Sequence, residues 1–208
     1  MQGTIIVYAS TRKQPMGTTT DKTKSYFTYA DYCTWSDQKR WELIDGEAFE
    51  MTPAPSRSHQ DSLRELFLEI GVFLRGKSCT IYSSPFDVRL YDSPEQADNQ
   101  IPTVVQPDLV VICDQTKLDE QGCRGAPDLV IEITSPGSIS RDLKTKLKLY
   151  EKHGVKEYWI VSPSEKTISV FNRNKQGLYG KPIVCIGKEK VRSEVLEGIC
   201  VVVGDVFV

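Results

Sequence analysis

Two acidic residues lie at or inside short apolar segments, where a carboxylate is seldom left without a partner. Asp108 precedes the apolar run 109–112, and Glu132 lies within Leu129-Val130-Ile131-Glu132-Ile133. An apolar run without alternation is typical of a strand covered on both faces, so we expect Glu132 to be buried. Because an ionised buried carboxylate is costly without compensation, a cation, a metal ion or a close hydrogen-bond donor must lie beside it.

The segment that follows this strand offers a cation. Apolar residues recur at helical spacing between positions 139 and 153, and Ser138 or Ser140 is a suitable residue to cap that helix. At 100° per residue Lys146 lies about 40° from Tyr150, at the edge of the apolar stripe. We therefore expect Lys146 to point towards the sheet.

Asp108, Glu132 and Lys146 together form a candidate catalytic site, with two carboxylates from neighbouring strands and one lysine from the helix packed over them. Carboxylate oxygens suit Mg²⁺ or Mn²⁺, and a lysine beside such an ion can orient or deprotonate a water molecule that attacks a phosphate ester. The same residues could instead form a structural ion-pair network. The residues alone leave both interpretations open.

The basic residues on the far side of the same helix also have two interpretations. Arg141, Lys144 and Lys148 lie away from the apolar stripe, as a solvated helix face would. They could alternatively contact the backbone of a nucleic acid. The net charge of −2 means that any such binding would have to be local.

The elements that would position these residues form an α/β (α+β) domain with a central mixed sheet. Asp45-Gly46 lies between two short runs of mixed apolar and charged residues and predicts a hairpin. Apolar residues at helical spacing predict a helix from Ser58 to about Arg75, and Val104 to Ile112 reads as one buried strand. The other predicted elements are a helix over 28–40, strands over 79–83, 86–91, 156–161 and 167–172, and a β-rich tail.

The tetrapeptide Pro-Asp-Leu-Val occurs twice, at 107–110 and at 127–130. A repeat this short does not indicate a repeat architecture. Proline is tolerated at the first position of a strand, so both copies predict a strand entry. We interpret Asp128 as an exposed acid at a turn, whereas Asp108 gains interest from the residues downstream of it.

Composition and length limit the class of protein. The 208 residues suit one domain over 25–208, preceded by a flexible extension over 1–24. The six cysteines form no Cys-x-x-Cys pair, which favours reduced thiols in a cytoplasmic protein, and two histidines are too few for a His/Cys zinc site. No apolar segment is long enough to span a membrane. A serine-hydrolase elbow and a glycine-rich phosphate loop are also absent from the sequence.

Several blocks taken together resemble the Uma2 family of endonucleases, a branch of the restriction-endonuclease-like PD-(D/E)XK nuclease superfamily. They follow one another in order over roughly residues 26–172, and each alone is a weak signal. The blocks are Tyr29-Ala30-Asp31-Tyr32, residues 41–47, residues 53–56 with His59-Gln60, residues 105–110, residues 127–136, Arg141-Asp142-Leu143, Lys146-Leu147, Tyr150 and residues 154–161.

The resemblance implies a mixed sheet of four or five strands flanked by helices, and Mg²⁺-dependent hydrolysis of DNA. Asp108 and Glu132 would be the metal ligands, with a lysine nearby. The superfamily's usual lysine would stand two residues after Glu132, where this chain has Thr134, and Lys146 is the residue whose direction fits that role.

Two further residues have an implied role and a plainer alternative. Glu47 resembles an accessory acid of the family, or it is an exposed hairpin acid. His59 could act as a general base, because its unperturbed pKa is near neutrality, or it could be a residue of the cap region or the surface. A non-catalytic nucleic-acid-binding or oligomeric interaction module on a nuclease scaffold is the alternative function, and the β-rich tail favours a homodimer.

Overall fold

The computed structural model describes residues 25–36, 39–51, 54–135 and 142–207. Within these ranges the helices are α1 (Tyr29–Tyr32), α2 (Arg57–Leu74), α3 (Leu147–His153) and α4 (Val203–Val206). A π-helical turn over Asp142–Lys146 leads directly into α3. The strands are β1 (Trp41–Ile44), β2 (Glu47–Glu50), β3 (Thr80–Ser83), β4 (Val88–Arg89), β5 (Val104–Val105), β6 (Leu109–Ile112), β7 (Leu118–Asp119), β8 (Gly122–Arg124), β9 (Leu129–Ile133), β10 (Glu157–Ser162), β11 (Thr167–Asn172), β12 (Ile183–Ile186), β13 (Lys190–Val191) and β14 (Val201–Val202).

Two six-stranded sheets carry most of the domain. The central sheet has the order β12-β11-β10-β9-β6-β3, and in it β9 and β10 are parallel while the other neighbours are antiparallel. The second sheet has the order β2-β1-β5-β4-β8-β7. The C-terminal β13 and β14 pair with each other.

The central sheet separates two apolar cores, because successive side chains of a strand point to opposite faces. Odd-numbered residues such as Leu109 and Ile131 pack with α2 and the C-terminal segment. Even-numbered residues such as Val110 and Val130 pack with α3 and the second sheet. Glu132 is even-numbered and therefore belongs to the face that α3 covers.

The predicted fold class is confirmed, and several elements begin and end close to the predicted residues. Asp45 and Gly46 have φ of 48° and 83°, the left-handed conformation that a two-residue hairpin turn of this kind requires. Helix α2 lies one residue from its predicted bounds, and β11 has the predicted ones. The resemblance implied a sheet of four or five strands, whereas each of the two sheets has six.

Three expectations about local structure are wrong. Val104 to Ile112 is two strands in different sheets, because the chain leaves β5 at Gln106 and enters β6 after Pro107, which has no N–H to donate. In the described residues the helix predicted over 28–40 has only the four residues of α1. Asp128 is buried rather than exposed.

The cysteines also differ from expectation. Cys79 and Cys113 form a disulfide with an S–S distance of 2.07 Å, directly beside the paired ends of β3 and β6. The expectation of reduced thiols is wrong for this pair. Cys33, Cys123, Cys185 and Cys200 are free thiols.

Among the described residues, we find no helix with the length and apolar character needed to cross a bilayer. The predicted extension over 1–24 lies outside the described residues.

Candidate active site

Glu132 forms an ion pair with Lys146 inside the protein. The Nζ atom of Lys146 lies 2.7 Å from Oε1 of Glu132, and both side chains are buried. Lys146 is the last residue of the π-helical turn before α3, so its side chain leaves the helix towards β9. The direction that helical spacing predicted for Lys146 is the one observed.

A second carboxylate shares the same ammonium group. Oε1 of Glu42, in β1, lies 3.0 Å from Nζ of Lys146 and also accepts a hydrogen bond of 3.1 Å from the backbone N–H of Gln106. Glu42 is completely buried. Lys146 therefore joins the second sheet to the central sheet through one acid from each.

Glu42 was not predicted as a site residue, although the sequence contains a signal for it. Glu42 precedes Leu43-Ile44 in a short strand, the same arrangement of an acid among apolar residues that singled out Glu132. Of the acids around the Asp45-Gly46 turn, the resemblance predicted Glu47 instead. Glu47 lies in β2 with an exposed side chain, and within the described residues that side chain makes no hydrogen bond to Glu132, Asp108 or Lys146.

Tyr150 supplies a neutral donor to the same site. Its hydroxyl donates a 2.8 Å hydrogen bond to Oε1 of Glu132 from one helical turn beyond Lys146. Burial raises the pKa of Tyr150 well above its ordinary value, and the charge of Glu132 raises that pKa further. Tyr150 therefore keeps its proton and remains a donor over the physiological pH range.

Asp108 lies next to Glu132 in the register of the central sheet. Leu109 pairs with Ile131, so the same register continued by one residue places Asp108 opposite Glu132. Oδ2 of Asp108 accepts a 2.8 Å hydrogen bond from the backbone N–H of Ile133. Its side chain is 20% exposed, which makes Asp108 the acid of this group that solvent or substrate can reach.

His59 is the side-chain partner of Asp108. Its Nε2 lies 3.2 Å from Oδ2 of Asp108, and because a carboxylate accepts, Nε2 carries the proton. The imidazole is buried in the first turn of α2, where Ser56 caps the helix by accepting from the backbone N–H of His59 at 3.3 Å. The expectation that His59 could be a surface residue is wrong, because its side chain is buried. His59 lies in the cap region of α2 and also contacts Asp108 of the candidate site.

Other predicted residues lie farther from this group. Thr134, at the position of the superfamily's usual lysine, is buried and donates from Oγ1 to the carbonyl of Val161 at 3.3 Å. Lys144 and Lys148 are exposed and line an open cleft of about 310 Å³ beside the Asp45 turn. Arg141 lies outside the described residues.

Across the described parts of the chain, no group of three or more His, Cys, Asp or Glu side chains is arranged to hold a metal ion. A site with two protein carboxylates is compatible with this result, because Mg²⁺ commonly takes one or two carboxylates and completes its shell with water and phosphate oxygens.

Comparison with known proteins identifies the family of this chain. Residues 28–204 match the family described as "Uma2: Putative restriction endonuclease". An uncharacterised protein of Synechocystis sp., slr1290, is 24% identical over 150 residues, which cover 71% of this chain and 74% of that protein.

A solved structure has the same fold. The crystal structure of a "putative nuclease belonging to DUF820" from Anabaena variabilis superposes with a TM-score of 0.68, at 18% sequence identity. The match covers 87% of this chain and 97% of the other. With a nuclease-like fold and a family match over most of its length, the chain belongs to the Uma2 family of restriction-endonuclease-like proteins.

Proposed function

We propose that this protein is a metal-dependent endonuclease that hydrolyses phosphodiester bonds of DNA. The observation that carries the proposal is the buried Glu132–Lys146 ion pair of 2.7 Å beside a partly exposed Asp108. Asp108 and Glu132 lie at the same end of the β6–β9 strand pair, so we place both carboxylates in one site.

The donors at this site fit a hard divalent cation. Asp108 and Glu132 would hold Mg²⁺ or Mn²⁺, because these ions prefer carboxylate oxygens. When bound, the ion would lower the pKa of a coordinated water and neutralise charge on the phosphate.

The protein's own residues would prepare the site for that chemistry. Lys146 lies on Glu132, where its positive charge can stabilise negative charge that grows on the reacting phosphate. Tyr150 and Lys146 hold the Glu132 carboxylate in one orientation, and His59 holds that of Asp108. Glu42 keeps Lys146 in place from the second sheet.

The direction of Lys146 supports an enzyme over a non-catalytic binding module. A lysine pointing away from the acids would have favoured the module, since Thr134 supplies no charge in its place. Instead Lys146 contacts Glu132 directly. Lys144 and Lys148, on the open cleft, are the proposed contacts for the DNA backbone, together with Arg141.

We also propose that the protein is a cytoplasmic homodimer. The sheet edge that best fits pairing between two copies is strand β12, not the C-terminal tail. Strand β14 is paired with β13, and Val201, Val203 and Val206 are buried. Strand β12 ends the central sheet with Ile183 and Ile186 more than half exposed. Sedimentation of a Val184→Lys variant as a monomer beside a dimeric wild type would support pairing through β12.

Two buried glutamates on neighbouring strands test the proposed site. We expect Glu132→Gln to lower Mg²⁺-dependent nicking of plasmid DNA on the order of 10³-fold, because it removes a ligand charge where charge develops. Glu157→Gln is the matched control, since Glu157 lies in β10 on the opposite face and accepts from Trp159 and Ser193. Its nicking rate should equal that of the wild type.

The control variant should also be less stable than the wild type. In Glu157→Gln, an amide NH₂ faces the hydrogen-bond donors that the carboxylate accepts from. The unfolding free energy of this variant should therefore fall by about 1–3 kcal/mol. Nicking is therefore measured well below the unfolding midpoints of both variants. Full nicking by folded Glu132→Gln, or metal-independent nicking by the wild type, would contradict the proposal.

A further inference from the structure

Arg40 lies at the rim of the candidate active site. Its carbonyl accepts from the backbone N–H of Met51 at 2.9 Å, so Arg40 extends the ladder between β1 and β2 by one residue. Glu42 follows two residues later, and side chains two apart on a strand share a face. Arg40 is exposed and Glu42 is buried, so Arg40 lies at the solvent-exposed end of the strand face that carries Glu42.

Two neutral acceptors hold the guanidinium group of Arg40. Its Nε and Nη2 atoms donate to Oε1 of Gln106 at 3.1 and 2.7 Å, and Nη2 also donates to Oγ of Ser84. The backbone N–H of Ser84 donates to the carbonyl of Asp108 at 3.0 Å. The guanidinium is therefore anchored next to the residue that would bind the metal.

Asp87 and Tyr32 fix the orientation of the Gln106 side-chain amide. Its Nε2 donates to Oδ1 of Asp87 at 2.8 Å and to the hydroxyl of Tyr32 at 3.0 Å, and that hydroxyl donates to Oδ1 of Asp87 at 3.0 Å. Because the Asp87 carboxylate only accepts, the amide NH₂ must face it. The amide oxygen of Gln106 is then directed at Arg40.

This network orients Arg40 without neutralising it. Within the residues that the structure describes, Arg40 forms no ion pair with a carboxylate and its Nη1 atom makes no hydrogen bond. The buried Arg89 is a contrast, because it pairs with Asp98 at 2.7 Å and Asp119 at 2.6 Å. An exposed, preoriented guanidinium with free N–H groups matches the geometry of a phosphate group.

We propose that Arg40 is a positioning residue that binds a backbone phosphate of the DNA next to the phosphodiester being cleaved. The inference rests on the proposed nuclease function. It adds a contact separate from Lys144 and Lys148, whose cleft is lined by other residues.

The test measures DNA binding apart from cleavage. A fluorescein-labelled 20-bp duplex is titrated into the Asp108→Asn protein at several NaCl concentrations, and anisotropy gives the Kd at each. We expect Arg40→Gln in this background to weaken binding about 10-fold. The slope of log K against log [NaCl] should fall by about 0.9, the value for one lost phosphate contact. Arg40→Lys should keep the slope because it keeps the charge, but it should weaken binding because it loses the paired guanidinium donors. That loss of affinity decides the result if Arg40→Gln does not fold.

Lys39→Gln is the matched control. Lys39 is the neighbouring cation and already forms an ion pair of 2.9 Å with Glu50, so its loss should leave the slope nearly unchanged. An unchanged slope in Arg40→Gln or a lowered slope in Arg40→Lys would overturn the inference. So would a fall in the slope of Lys39→Gln as large as that of Arg40→Gln.

Failure of the inference can be told from failure of the proposed function. If wild-type protein cleaves DNA while Arg40→Gln binds with the parental slope, only the role of Arg40 is wrong. If wild-type protein neither binds nor cleaves DNA, both proposals fail. In the cleaving protein, Arg40→Gln should raise KM more than it lowers kcat, which a loss of folded protein would not do.

Discussion

The two copies of Pro-Asp-Leu-Val have the same local structure and different surroundings. Asp108 and Asp128 each precede a strand, and β6 and β9 are antiparallel, so the two acids lie at opposite ends of the strand pair. Each carboxylate accepts a backbone N–H from the end of the other strand. Asp108 accepts from Ile133 at 2.8 Å, and Asp128 accepts from Cys113 at 2.7 Å.

The difference between the two ends lies in the other charged groups. Asp128 pairs with Lys156 at 2.6 Å, and no second acid joins them among the described contacts. Asp108 instead has His59 as its partner and Glu132 beside it in the register, with Lys146 placed on Glu132. The repeated tetrapeptide thus determines a strand entry, while a second acid and a buried lysine make one end a candidate active site.

Replacing each aspartate by asparagine should give the largest difference between the two strand ends. Asp108→Asn should lower Mg²⁺-dependent DNA nicking on the order of 10³-fold, because a ligand charge is lost. Asp128→Asn should leave the nicking rate unchanged below its unfolding midpoint. Plasmid nicking is measured with both variants at equal concentrations of folded protein. Equal losses in the two variants would mean that both acids are structural.

The cations at the two ends should differ in their effect on stability. Lys146→Met leaves Glu132 and Glu42 buried without their shared cation, and removal of one partner of a buried pair costs about 3–5 kcal/mol. Lys156 is 67% exposed, so Lys156→Met should cost less than about 1 kcal/mol. Urea denaturation at neutral pH gives both values. A Lys146→Met variant as stable as the wild type would show that the acids have other compensation.

Tyr150 should contribute a smaller, pH-dependent amount at the Asp108 end. Tyr150→Phe removes a hydrogen bond to a charged acceptor and should cost about 1.5–3 kcal/mol at neutral pH. Burial raises the pKa of Tyr150 in the folded protein, so at alkaline pH the unfolded chain loses the proton first. The wild type therefore loses stability relative to Tyr150→Phe as the pH rises above about 10.

The measurement is urea denaturation of both proteins between neutral pH and pH 11. A difference in unfolding free energy that stays constant over this range would argue against the raised pKa of Tyr150.

The parts of the fold that sequence predicted well are those that local rules determine. The Asp45-Gly46 hairpin and α2 follow from turn chemistry and helical spacing. The Glu132–Lys146 contact was also predictable, since a buried acid requires compensation and helical spacing gave the direction of the lysine.

The parts that sequence did not predict depend on contacts between distant segments. Glu42 reaches Lys146 across a separation of 104 residues, and no local pattern pairs β1 with the π-helical turn before α3. The passage of the chain between the two sheets lies inside the apolar segment Val104 to Ile112, where Pro107 indicates a strand entry but not a change of sheet. The Cys79–Cys113 disulfide spans 34 residues, and its pairing depends on the register of β3 with β6.

Anomalous diffraction from crystals soaked in Mn²⁺ tests whether Asp108 and Glu132 hold one divalent cation. We expect a single anomalous peak about 2.1 Å from a carboxylate oxygen of each residue. That peak should be absent from Asp108→Asn crystals soaked in the same way. Mn²⁺ bound elsewhere in the wild type, with no density between these two acids, would show that they do not form a metal site.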